Sequence, residues 1–144
     1  MTSDPTVVLL QRFFEAVSFE EGRRPAYPRL RDLFVEGGRL IATAGATPEI
    51  STLDAFVASR QPAVDSGGLA WFEEREIDGV TWSFGNVAHR LSRYSKAGRR
   101  DGVDFAVRGM ISTQFVRMPG GWLITSMAWD DERPGLTLPQ RYEP

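Results

Sequence analysis

Hydrophobic positions along this 144-residue chain change period near its middle. Val7, Leu10, Phe13, Phe14 and Val17 recur at helical spacing, so an amphipathic helix of about four turns is expected. Ser3 or Asp4 can cap it and Pro5 suits its first position, where a missing N–H costs nothing. Gly22 is expected to end it. A short second helix follows Pro28, with Leu30, Leu33 and Phe34 on one side, and Gly37-Gly38 stops it. Arg39–Thr43 reads as a strand and Gly45–Ser51 as a loop. Ser51 or Thr52 then caps a third helix carrying Leu53, Phe56 and Val57, which ends before Pro62.

From Leu69 the alternation is that of strands. Leu69–Ile77, Val80–Phe84, Val87–Ser95, Val103–Arg117 and Trp122–Asp130 are separated by Asp78-Gly79, Gly85-Asn86, a polar loop over Lys96–Gly102, and Pro119-Gly120. Helices gathered before hairpin-linked strands predict an α+β domain. A long sheet twists and curls, so the N-terminal helices should pack in its concave face and leave a central cleft. The whole chain, 1–144, reads as one domain, with about 133–144 an irregular tail.

Composition narrows the chemistry. A net charge of −2 supplies no basic stripe for nucleic acid. The pairs Arg23-Arg24 and Arg99-Arg100 read as solvated loop charges. With no cysteine there is no disulfide or thiolate chemistry. A single histidine and scattered acids offer no metal set, and no cofactor motif is visible. No apolar run reaches the ~18 residues of a membrane span, and the N-terminus lacks a signal peptide's basic start. A cytoplasmic protein is expected, and sixteen arginines against one lysine fit a GC-rich bacterial genome.

Register arithmetic places side chains. Two-residue turns pair Phe84 with Val87, Trp82 with His89, Met118 with Gly121, and Gly109 with Asp130. Closing the polar loop with Ser95 opposite Val103 sets His89 opposite Gly109. One row then crosses the sheet: Trp82, His89, Gly109, Asp130. It shares the more apolar and therefore concave face with Val80, Phe84, Leu91, Ile111 and Phe115. Two roles are open to His89: a general acid or base oriented by Asp130, or a buried histidine satisfied by a carbonyl or water. Trp82 would line the cleft, Arg93 could hold an anionic group or pair at the rim, and Tyr27 could close the mouth. The other face, carrying Arg90, Tyr94, Met110, Met127 and Trp129, suits a homodimer interface, with Arg108 opposite Asp131 as an ion pair.

The order of elements resembles the nuclear transport factor 2-like superfamily, and in particular its bacterial polyketide-cyclase-like (SnoaL-like) branch. The matching segments are Arg29–Phe34, Phe84–His89, Gln114–Arg117, Gly121–Ile124 and Ala128–Glu132. The resemblance implies a cystatin-like cone with a cleft for a small apolar ligand. It also implies either cofactor-free acid/base work on a carbonyl compound, of cyclase or isomerase type, or a non-catalytic homodimeric module with a filled cleft.

Overall fold

A computed structural model describes residues 4–140. Helix α1 spans Pro5–Val17. Asp4 caps it, accepting from the Thr6 amide at 2.9 Å. Its inward stripe is Thr6, Leu9, Leu10, Phe13, Phe14, Ala16 and Val17. The helix stops well before Gly22. Ser18 turns back to donate through its hydroxyl to the Phe14 carbonyl at 2.7 Å, and Phe19 then pairs with Phe72 of the sheet.

The second helix is a 3₁₀ turn, Tyr27–Leu33, and strand β1 (Phe34–Ala42) starts directly after it. Gly37-Gly38 therefore does not end a helix. It forms an irregularity within β1, where Gly37 takes φ 78° and the pairing register shifts. Part of the expected loop is a short strand, β2 (Glu49–Thr52), paired antiparallel with β1. Helix α2 runs Leu53–Asp65, capped by Thr52 Oγ1, and includes Pro62 in its last turn. Ala58 and Pro62 are both exposed, so the carbonyl that loses its donor faces water.

Four long strands follow: β3 (Leu69–Phe84), β4 (Val87–Arg100), β5 (Val103–Met118) and β6 (Gly121–Asp131). The six strands form one open sheet in the order β2-β1-β6-β5-β4-β3. It is mixed, because β1 runs parallel to β6. The fold is α+β, with the helices on the concave face. There Leu10, Leu30, Leu40, Phe115, Ile124 and Met127 are almost wholly buried.

Two hairpins keep the expected register, Trp82 with His89 and Phe115 with Ile124. Three features depart from it. Asp78-Gly79 does not turn the chain, and β3 continues through it with a bulge beside Ile77. The polar loop does not exist: β4 runs on to Arg100 and turns at Asp101-Gly102, both at positive φ (51° and 79°). That geometry is a two-residue hairpin turn of the I′ kind. Ser95 consequently lies opposite Arg108 rather than Val103, an odd displacement that exchanges the faces of β4 relative to β5. Finally, β6 has a bulge at Thr125, so Gly109 pairs with Asp131 and not Asp130.

Candidate functional site

These shifts decide which side chains enter the hollow. The inward row of β4 is Ala88, Arg90, Ser92 and Tyr94, all buried. Those of β5 and β6 include Ile111 and Phe115, and Met127, Trp129 and Asp131. At one end of the concave face they leave a cavity of about 680 Å³. Its walls are aromatic: Phe13 from α1, Phe56 from α2, Phe72 from β3, Phe105 from β5 and Trp129 from β6. Phe56 and Trp129 meet edge to face at 6.2 Å, and Phe72 lies 6.4 Å from Phe105.

Polar groups converge on this apolar hollow from five elements. Asp131 accepts from the Tyr94 hydroxyl and from Lys96 Nζ at 3.0 Å. The same hydroxyl reaches the Asp130 carbonyl at 3.0 Å. Tyr94 can cross the sheet in this way only because Gly109 lies beneath it; a Cβ there would overlap both the Tyr94 hydroxyl and the Asp130 carbonyl. Burial, together with the bond to Asp131, holds the Tyr94 phenol far above its ordinary pKa, so it remains a donor.

Glu74 stands apart from this cluster. It is on β3, opposite Lys96, and lines the cavity. Its carboxylate makes no hydrogen bond or ion pair among the described residues. Burial raises its pKa from 4.5 to about 7, with Asp131 adding to the rise while Lys96 and Arg60 oppose it. Two helix-borne groups complete the lining. Tyr27 is buried, its pKa raised by desolvation, and its hydroxyl makes no hydrogen bond to the described residues. Arg60 of α2 lies over the Phe56 ring, with its Cζ 3.8 Å from the ring centroid. Arg100 and Asp101, at the β4–β5 turn, sit at the mouth.

Of the residues singled out from the sequence, Tyr27 is on the cleft wall. Gly109 faces inward, but Tyr94 covers it. His89, Trp82, Asp130 and Arg93 are on the outer face, which corrects the expected row. His89 is exposed and meets Trp82 edge to face at 5.1 Å. It pairs with Gln114, whereas Asp130 pairs with Met110. They are thus two strands apart and offset by about 13 Å along β5. Asp130 is held by Arg133 at 2.7 Å, which lowers its pKa. Arg93 grips Asp78 with two nitrogens and reaches the Pro139 carbonyl at 3.1 Å. The cause is the odd register of β4 against β5 and the bulge in β6.

The face expected to be an interface is corrected by the same shifts. Arg90, Tyr94, Met127 and Trp129 point inward, and Arg108 pairs with Glu132 at 3.0 Å rather than with Asp131. Glu74, Lys96, Asp131 and Arg60 were not picked out. Recognising Asp101-Gly102 as a hairpin turn would have placed Lys96, the single lysine, on a strand opposite Val107; its pairing with Glu74 depends in addition on the bulge beside Ile77. Nothing in the local pattern announces the β6 bulge.

No family model matches the sequence, and no curated protein matches it. Among the described residues no cluster of acids and histidines could hold a metal ion, and no helix is long and apolar enough to cross a membrane. Solved structures do resemble the fold. A nuclear transport factor 2-like superfamily protein from Salmonella enterica aligns with TM-score 0.66 at 16% identity, over 87% of each chain. A candidate dehydratase of the same family from Streptomyces avermitilis gives 0.65 at 16% identity, over 92% of this chain and 99% of its own. A Novosphingobium aromaticivorans protein of this family, with a cystatin-like fold, gives 0.56 at 15% identity, over 72% and 68%. The chain has the nuclear transport factor 2-like fold.

Proposed function

We propose that this protein binds a small, largely apolar carbonyl compound in the aromatic cleft and catalyses proton transfer on it without a cofactor, with Glu74 as the general base and acid. The observation that carries this reading is the Glu74 carboxyl: it lines the cavity, has no hydrogen-bond or ion-pair partner among the described residues, and has its pKa raised by burial to about 7. A carboxyl poised there exists in both protonation states at neutral pH, which is what reversible proton abstraction beside a carbonyl requires. In such a step the α-carbon C–H bond breaks, its proton passes to Glu74, and the electron pair moves onto the carbonyl oxygen. The Tyr27 hydroxyl is a donor available to that oxygen. Return of the proton to a different carbon completes an isomerisation, and attack of the enolate on a second carbonyl completes a cyclisation. This is the chemistry that the resemblance to the polyketide-cyclase-like branch implies. The fold hosts many functions, so the reading rests on the site.

The test needs no knowledge of the natural substrate. Aromatic ketones that raise the melting temperature are assayed by NMR for exchange of their α-protons in deuterated buffer. Exchange above the buffer rate is expected, rising with pH to a plateau above about 7, with E74Q retaining binding and losing exchange. Exchange that survives in E74Q sinks the assignment of the base. Binding without exchange in the wild-type protein sinks catalysis and leaves a binding module.

A second, independent feature supports self-association. The outer face presents Phe84 (86% exposed), Val87 (55%) and Trp82 (50%) around the β3–β4 hairpin. Apolar patches of this kind mark interaction sites. We propose a homodimer through this end of the outer face, displaced from the one the sequence suggests. Light scattering should give twice the chain mass at micromolar concentration and the single-chain mass for F84D; a monomeric wild-type protein ends the proposal.

A further inference from the structure

Two cleft cations lack a carboxylate partner among the described residues: Arg100, exposed at the mouth, and Arg60, set deeper and with its binding capacity largely unspent. Arg60 Nη1 donates to Ser59 Oγ at 2.9 Å and reaches the Phe56 carbonyl at 3.5 Å. Nε and Nη2 have no partner among the described residues, and no carboxylate lies at ion-pair distance. A guanidinium has five N–H donors, so most of its capacity remains available. By contrast, Lys96 is committed to Asp131.

Its seating favours one use. Stacking on Phe56 fixes the plane of the fork and lowers the entropy lost when a planar anion is gripped by two nitrogens. Desolvation at this position disfavours the charged guanidinium, a cost that an anionic ligand would offset. Tyr27, whose hydroxyl has no hydrogen-bond partner among the described residues, lines the same cavity and adds a neutral donor. The surrounding aromatic walls suit a flat body behind the charged end.

Building on the cleft reading above, we infer that Arg60, seated on Phe56 and supported by Tyr27, anchors a carboxylate, so that the ligand is a cyclic or aromatic compound bearing one carboxylate group. The anchor and Glu74 then divide the work. One fixes the anionic end, and the other meets the reacting carbon.

Isothermal titration of the full chain with 2-naphthoate and its neutral isostere 2-naphthamide tests this. The acid should bind about tenfold tighter than the amide, and R60Q should remove that preference while leaving amide binding within about twofold. R60K, which keeps the charge and loses the fork, should fall between them. Arg60 is partly exposed at the cleft, and melting curves of both variants report whether they fold. Equal affinity for the two probes in the wild-type protein, or an equal loss of both in R60Q, overturns the anchor and leaves the cleft as a binding site. If neither probe binds, the cleft reading and the anchor fall together.

Discussion

Glu76 and Glu74 lie two positions apart on β3, on the same concave face, and differ in almost everything that determines what a carboxylate does. Glu76 is fully engaged. Arg90 donates to it from Nε at 2.8 Å and from Nη2 at 2.6 Å, and the Ser92 hydroxyl donates at 2.7 Å. Arg90 also donates to Thr81 Oγ1 at 2.9 Å, which meets Thr6 at 3.0 Å beside the cap of α1. Even the backbone makes room: a Cβ on Gly79 would come within 2.8 Å of the Arg90 guanidinium. Glu74, one inward position along the strand, meets a cavity instead of an arginine. The same side chain thus serves structure where its charge is matched by fixed donors. Where those donors are absent it remains available to a ligand, with its pKa raised. Cleft chemistry in this fold arises from what the packing leaves unmatched.

The sharpest way to break that comparison is R90A. It strands the Glu76 carboxylate and Thr81 under α1, so urea unfolding should show a loss of about 3–5 kcal/mol. A loss below about 1 kcal/mol would mean that the network does not hold the helix to the sheet.

A smaller effect, opposite in sign, is expected at Glu74. Its folded pKa of about 7 exceeds the ordinary 4.5, so folding favours the protonated form. Relative stability is complete below pH 4.5 and drains away as pH rises through 7. E74Q removes this drain. It should match the wild-type protein near pH 4.5 and exceed it by about 1–3 kcal/mol at pH 8, read from unfolding curves at the two values. A pH-independent difference would show that Glu74 is as well solvated as a surface acid.

The two Asp-Gly pairs show how far the site was legible. Asp78-Gly79 and Asp101-Gly102 carry the same local preference for a tight turn. Only the second turns; the first stays in the strand, where Gly79 accommodates Arg90 and Asp78 pairs with Arg93. Reading Lys96–Gly102 as a loop, with Ser95 opposite Val103, displaces β4 against β5 by an odd number of residues. That sent His89 inward and Tyr94 outward, the reverse of the structure. The bulge at Thr125 likewise exchanged Asp130 for Asp131 as the acid that enters the cleft.

By itself the sequence determined the α+β class, the amphipathic stripe of α1, the capping sites of α1 and α2 to within one residue, and the two tight hairpins. Each follows from interactions within a few residues: a periodicity, a cap or a turn. What only the tertiary structure decided was the face that each strand turns inward, and hence the identity of the cleft's chemistry. A strand's side-chain period is two, so one extra residue in a turn or bulge inverts a whole face at little local cost. The choice is made by the sum of contacts across the sheet: Arg90 finding Glu76, Tyr94 passing over Gly109 to Asp131, and Glu74 left facing the hollow.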